Sequence, residues 1–353
     1  MRESIKLLSV SVNNMKKNDF SPDLFLRGLY DKRPFPFEGL SREETEKRIK
    51  EIRERLSLVI NTDKIPEKRE ILCPAVLHSE KRKGYEIREI SVEICKDWNM
   101  LCYLLVPERK NGHGVVAVPG HGYGVRQIIR QDKKGKYRKI NFIDNYQKNF
   151  ALELAKRGNT VIAFEPVAFG RARLKKDSKK PFYISSCETV SMHSLMYGIS
   201  AATLRVYQAK CCVELLENEG LGKIGIMGIS GGGLVALYTS LLDERIEKTV
   251  VSGYINTFGE SVLSMWHCTD NFIPGILEIG DMYDFAAALC PKKLLMECGE
   301  RDKLFPIDAS KQAIGRISRV YEKMGAKENF TVDIHGGKHS VSGKYAFGFF
   351  GED

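Results

Sequence analysis

The chain has 353 residues, of which 43% are hydrophobic and 28% charged, and carries a formal net charge of +10. This composition excludes a disordered, collagen-like or disulfide-stapled chain, and its longest apolar runs are strand-sized rather than membrane-spanning. Nine scattered cysteines without C-x-x-C spacing, as in Leu101-Cys102-Tyr103, predict reduced, buried thiols and a cytoplasmic protein.

The positive charge gathers in lysine-rich stretches at residues 80–83, 133–139 and 175–180. No nucleic-acid motif accompanies them, so they are expected to be solvated surface and not a nucleic-acid site. The first residues, MRESIKLLSVSVNNMKK, hold no apolar core long enough for a secretory leader, and none is expected.

Residues 1–85 lack strand–turn–helix alternation and are expected to form a helical extension packed on the main body. Within it, Ser41-Arg42-Glu43-Glu44 has the spacing of a capping box. Ile49, Ile52, Leu56 and Val59 then share one helical face, and residues 61–68, with Pro66, read as a linker.

From Tyr85 the pattern changes. Ile90, Val92 and Ile94 alternate as in a half-buried strand, with residues 100–106 as the hairpin partner. Buried strands are predicted at 114–118, 160–164, 223–227, 249–252, 293–297 and 329–334, and helices at 146–157, 204–217, 233–242 and 309–324. Strands alternating with helices predict an α/β domain over residues 86–353, a doubly wound, mainly parallel sheet led by an antiparallel hairpin.

The strand ending at Met227 runs into Gly228-Ile229-Ser230-Gly231-Gly232. A G-x-S-x-G segment between a strand and a helix turns so sharply that the serine Oγ stands clear of the sheet. Side chains in place of the flanking glycines would collide where strand and helix approach. Alone, the pattern occurs by chance in about one chain in ten of this length. Its context excludes two rivals. No acidic residue ends the next strand, as a dinucleotide site requires, and no G-K-[ST] follows, as a P-loop requires.

A serine hydroxyl needs a base to take its proton and a third group to orient that base. Both follow in order, each on a loop after a strand. Among Glu300, Asp302 and Asp308, Asp302 is favoured as the acid, because Asp308 is expected at the N-cap of the next helix, where a capping role suffices. Between His335 and His339, His339 is favoured as the base, since Gly336 and Gly337 let its loop fold back over the serine. The same two histidines do not read as zinc ligands: the glycines oppose a helix, and no third ligand is apparent, so no metal is expected. For the oxyanion hole, Gly231 follows the nucleophile, and Pro119-Gly120-His121-Gly122-Tyr123-Gly124 follows an early strand. The Gly231 and Tyr123 N–H groups are the expected donors.

These segments resemble α/β hydrolases of the dienelactone-hydrolase-like and acetyl-xylan-esterase-like branch. The likeness extends through Phe164-Glu165-Pro166 with Gly170, residues 268–275 (CTDNFIPG), Asp281-Met282-Tyr283-Asp284, and residues 299–306 and 336–343. It covers about residues 86–353 and implies a serine esterase with acyl-enzyme chemistry and no cofactor. Three features set the chain apart within the branch: Ser230 where a dienelactone hydrolase carries cysteine, and His121-Gly122-Tyr123 and His339-Ser340 where the sugar deacetylases carry Arg-Gly-Gln and His-Glu. The resemblance also places residues 254–274 over the site. Trp266, His267, Asn271 and Phe272 are accordingly candidates to contact substrate, core packing being an equal reading of Trp266 and Phe272, and His121 on the glycine-rich loop is a further candidate.

The expected partner is a small-molecule ester, of small-acyl or acetyl type and compatible with a carbohydrate. Neither nucleic acid nor membrane is expected, and a homo-oligomer is compatible with the sequence. The rival functions are amide or peptide cleavage by the same three residues, and a silent hydrolase fold serving as a binding protein.

Overall fold

The computed structural model describes residues 21–131, 145–181 and 183–351. The lysine-rich stretch 133–139 and the chain start, where no leader is expected, lie outside these residues. Among the described residues no helix is long and apolar enough to cross a membrane.

One nine-stranded sheet organises the molecule. Its strands in chain order are β1 (Ala75–Arg82), β2 (Tyr85–Cys95), β3 (Trp98–Pro107), β4 (His113–Val118), β5 (Thr160–Phe164), β6 (Lys223–Ile229), β7 (Ile246–Ser252), β8 (Lys293–Gly299) and β9 (Phe330–His335). They lie in the order β1-β2-β3-β5-β4-β6-β7-β8-β9. The first three pair antiparallel, β3 also pairs antiparallel with β5, and β5, β4 and β6 to β9 are parallel. The expected mainly parallel sheet with a leading hairpin is therefore present.

Parallel strands covered on both faces must be apolar throughout. All six residues of β4 are buried. Val116 and Val118 face one core, shared with helices α6 (Ala201–Asn218) and α7 (Gly231–Leu242). Val115 and Ala117 face the other, with Phe150, Leu152 and Leu154 of α4 (Phe150–Ala155). The chain leaves β4 toward β5 on one side and returns to β6 on the other. That reversal opens a crevice at the carboxyl ends of β4 and β6, where ligands bind in open α/β sheets.

The N-terminal segment docks on this body through identifiable contacts. Helix α1 (Asp23–Asp31) buries none of its residues, but Tyr30 at its end donates to Asp281 at 2.7 Å, and Arg33 reaches the same carboxylate at 2.9 Å. Helix α2 (Arg42–Val59) opens with the expected capping box on Ser41 and Glu44. Ile49, Ile52 and Leu56 are buried in the main core, with Val59 packed at its edge. Arg53 donates to the Ala288 carbonyl just beyond α8 (Met282–Ala287), and Arg42 to the Met324 carbonyl just beyond α9 (Ile307–Lys323). Cations at helix carboxyl ends satisfy carbonyls that lack intrahelical partners.

Three local expectations differ from the structure. Strand β1 lies within the segment expected to be helical, so a boundary after residue 85 cuts the β1–β2 hairpin. As an edge strand it is exposed at most positions, and its sequence AVLHSEKR has no buried face to alternate. The helix expected at 146–157 is helical only over α4, because Lys148 and Asn149 adopt left-handed backbone conformations that delay its start. Helix α9 is preceded by Pro306, so Asp308 lies inside its first turn and does not cap it.

Candidate active site

Ser230 has φ 56° and ψ −127°, a conformation that non-glycine residues adopt only when the surroundings impose it. The imposition is visible. A Cβ on Gly228 would run into the Gly232 carbonyl, and one on Gly232 into the Val118 carbonyl at the end of β4. The two glycines of the pentapeptide therefore allow β6, α7 and β4 to close together around Ser230. Its N–H donates to the Ser252 carbonyl at 2.9 Å, and its own carbonyl accepts from Leu234 at 3.0 Å. The serine thus stands at the amino end of a 12-residue helix, where unpaired N–H groups and the helix dipole favour negative charge.

His339 Nδ1 lies 2.7 Å from Asp302 Oδ2. A carboxylate accepts, so Nδ1–H donates and Nε2 is left to act as a base. The other oxygen, Oδ1, accepts from the N–H groups of Leu304 at 2.8 Å and Phe305 at 3.1 Å, which fixes the carboxylate plane. Asp302 is 6% exposed, whereas the rival acid Glu300 is exposed to solvent. Gly253, one residue beyond the Ser252 that pairs with Ser230, joins the parts. A Cβ there would lie 3.2 Å from His339 Cε1 and 3.5 Å from Asp302 Oδ2. Ser230, Asp302 and His339 thus gather about the ends of β6 and β7. His335 ends β9 and accepts from the Gly337 N–H at 3.1 Å.

The imidazole is held by groups that sequence patterns do not single out. Phe305 and Tyr146 both stack on it, with centroids at 5.6 and 5.7 Å. Tyr146 also donates to the His121 carbonyl at 2.8 Å and accepts through its own carbonyl from Val341 at 2.8 Å, tying the glycine-rich loop after β4 to the histidine loop. Glu297 on β8 accepts from Ser252 Oγ at 2.5 Å, Ser342 N–H at 3.2 Å and Gly343 N–H at 2.8 Å. Burial pushes its carboxyl above the usual range despite these donors. Arg301 donates to the Gly336 carbonyl at 2.9 Å, closing the same loop from the other side.

Beneath the 119–125 loop lies Glu165, 1% exposed. Its Oε1 accepts from Val125 N–H at 3.2 Å, and a Cβ on Gly124 or Gly170 would occupy the carboxylate's place. Burial raises its pKa to about 7, against the pull of those N–H donors, Arg126 and Arg171. Tyr123 is half-buried on this loop, which Gly122 and Gly124 carry through left-handed conformations. Gly231 opens α7, and among the described residues outside its own helix a Cβ on it would meet nothing nearer than Asp270 Oδ2, at 3.9 Å.

The residues expected to contact substrate separate into two sets. Trp266 is 86% exposed and Phe272 43% exposed on the 254–274 segment. His267 is half-buried, its ring edge-on to Phe305 at 5.6 Å. Burial, and then the neighbouring His339, lower its pKa. Asn271 is 8% exposed and spends its amide on Cys268 O at 3.2 Å and Asp270 Oδ1 at 2.9 Å, which shapes the turn. His121 lies edge-on to Phe169 at 4.7 Å, with Nδ1 3.6 Å from Asp270 Oδ2.

Asp270 belongs to a buried ion pair with Arg205 of α6, whose guanidinium also lies 4.2 Å over Phe169. Burial works to raise the Asp270 pKa, but Arg205 and His121 outweigh it and hold the carboxyl well below its ordinary value. A lone arginine on the otherwise uncharged, buried face of α6 was the available sequence signal for this pair.

Comparison with known proteins agrees with this architecture. No family model matches the chain. The Bacillus subtilis (strain 168) protein YtaP, provisionally named a hydrolase, is 21% identical over 277 residues, 76% of this chain and 87% of that protein. A Bacteroides fragilis NCTC 9343 structure, provisionally described as an acetyl xylan esterase, superposes with a TM-score of 0.76. It is 16% identical and covers 90% of this chain and 82% of its own. A glucuronoyl esterase from Solibacter usitatus superposes at 0.58, with 13% identity over 84% of this chain and 90% of its own. The chain therefore has the α/β-hydrolase fold, in the form these structures share.

Proposed function

We propose that the chain is a serine esterase that hydrolyses a carboxylic ester through Ser230, His339 and Asp302. The observation that carries this reading is the strained backbone of Ser230 (φ 56°) beside a histidine–aspartate pair at 2.7 Å. Strain of this kind persists where it serves a mechanism, and a plain turn would have used glycine.

In this mechanism Ser230 Oγ attacks the ester carbonyl as His339 Nε2 removes its proton. Asp302 holds the ring in the required tautomer and stabilises the imidazolium. The tetrahedral oxyanion forms at the amino end of α7, where the Gly231 and Tyr123 N–H groups receive it. His339 returns the proton to the leaving alcohol, and water, activated by the same imidazole, releases the acid from Ser230.

The substrate class is a small-acyl ester, and an ester carried on a sugar suits the exposed rim. Trp266 presents a flat apolar face there that can stack on a sugar ring. The structural relatives named as xylan and glucuronoyl esterases support that direction. Nine free cysteines, seven of them buried, suit a reducing compartment.

A fluorophosphonate probe tests the reading. Wild type should be labelled and Ser230→Ala should not. Folded wild-type protein that resists the probe and fails to cleave short p-nitrophenyl esters would sink the proposal in favour of a silent binding fold.

A further inference from the structure

We propose that His121, Cys187, Cys268 and Asp270 form a binding site for a thiophilic divalent cation, zinc above all, in the wall behind Gly231. The inference does not rest on the esterase reading, because the site takes its cation whether or not Ser230 is a nucleophile.

The four donor atoms lie within 4.8 Å of one another. In a tetrahedral zinc site, with metal–ligand distances of about 2.0–2.3 Å, neighbouring donors stand roughly 3.3–3.8 Å apart. Contraction by about an ångström, within reach of side-chain rotation, would close the cluster on an ion. Two soft sulfurs, one imidazole and one carboxylate select zinc or cobalt over magnesium or calcium, which prefer all-oxygen sites.

The donors come from three places in the fold. His121 is on the loop after β4, Cys187 is the first residue of α5 (Cys187–Met196), and Cys268 and Asp270 flank the start of the Thr269–Asn271 turn. No contiguous motif joins them, so sequence scanning for ligand spacing passes over the site. Cys187 and Asp270 are buried, while Cys268 and His121 are partly open, which leaves an entry path.

Two further observations point to an ion. His121 Nδ1 is buried without a hydrogen-bond partner, and its 3.6 Å separation from Asp270 Oδ2 is too long for a bond. The charges also balance. Two thiolates and a carboxylate carry three negative charges, against one on Arg205 and two on the cation, with His121 neutral. Arg205 already donates to Asp270 Oδ2, and to Cys187 Sγ at 3.2 Å, so it would serve as the outer partner that orients two ligands. On loading, two S–H bonds break and their protons pass to solvent as two metal–sulfur bonds form. No electron is transferred.

The test uses the full chain, reduced and then stripped with a chelator, titrated with Co2+ and followed by absorption. The expected result is one equivalent bound, with a thiolate-to-cobalt charge-transfer band and the strong visible bands of tetrahedral cobalt, all displaced by Zn2+. Thermal melting should shift upward with Zn2+. Cys268→Ser and His121→Ala, at the two partly open positions, should each fold and weaken binding at least about tenfold. Cys268→Ser should also diminish the charge-transfer band. Cys73→Ser, at the exposed cysteine before β1, should bind as wild type does. The proposal fails if the reduced protein gives no cobalt–thiolate band. It also fails if the band survives unchanged in both Cys268→Ser and His121→Ala, or disappears in Cys73→Ser.

Discussion

Two histidine–aspartate pairs flank the start of α7, and they differ in what else the carboxylate holds. Asp302 accepts from two backbone N–H groups and keeps Oδ2 for His339 at 2.7 Å. Asp270 spends Oδ2 on the Arg205 guanidinium, and His121 stops 3.6 Å away. The first carboxylate has a lone pair aimed at an imidazole, so it can set a tautomer and support a positive ring. The second has that oxygen taken by Arg205, so it makes no hydrogen bond to His121 that could set the ring's tautomer. A carboxylate near a histidine is thus not enough for proton transfer; its remaining partners decide whether it can assist.

The largest effects should separate the two pairs. His339→Ala or Asp302→Asn should lower kcat for a p-nitrophenyl ester by about 10⁴-fold, while His121→Ala should cost less than about tenfold. Equal losses at His339 and His121 would show that the wrong imidazole has been chosen as base. For stability the ranking should invert. Asp270→Asn leaves the Arg205 guanidinium buried without its counter-charge, a loss of about 3–5 kcal/mol in urea unfolding. Asp302→Asn, with no buried cation to orphan, should move the midpoint far less.

A smaller effect concerns how the His339–Asp302 pair is held. Glu297 touches neither His339 nor Asp302, but it anchors the backbone at Ser342 and Gly343 and the Ser252 hydroxyl beside Gly253. Glu297→Ala should lower kcat by about 10²-fold with KM little changed, since misplacement of about an ångström costs that much. Glu297→Gln, which still offers one accepting oxygen, should recover part of the loss. If KM rises and kcat holds, Glu297 shapes the pocket instead.

The last effect is a slope with pH. Glu165 is raised to about 7 in the folded state, chiefly by burial. Below the ordinary glutamate value of about 4.3, both folded and unfolded chains hold its proton, and its contribution to stability is complete. Between there and about 7 only the folded chain keeps the proton, so stability is lost as pH rises through that window. Denaturant melts from pH 4 to 8 should show this decline, and Glu165→Gln should flatten it. An unchanged slope in the variant would assign the titration elsewhere.

The sequence by itself determined the parts of this protein that obey local rules. Strand–helix alternation specified the parallel sheet, because a doubly covered strand must be apolar at every residue, as β4 is. The capping box on Ser41 and the pentapeptide around Ser230 were legible because their residues recur within four positions, although Gly232 is also required by the distant Val118 carbonyl. Order along the chain and places after strands singled out Asp302 and His339, and the structure brings these two side chains together. Tertiary structure alone decided which acid meets the imidazole and what holds each pair. Arg205 and Asp270 are 65 residues apart, Ser252 and Glu297 45, and Tyr146 and His121 25. Such contacts leave no periodicity in a single sequence, since each partner looks like an ordinary helix, strand or loop residue until the crossovers bring them together. Strand β1 escaped for a related reason. It is held by backbone pairing to β2, and hydrogen bonds between main-chain groups write no pattern into the side chains.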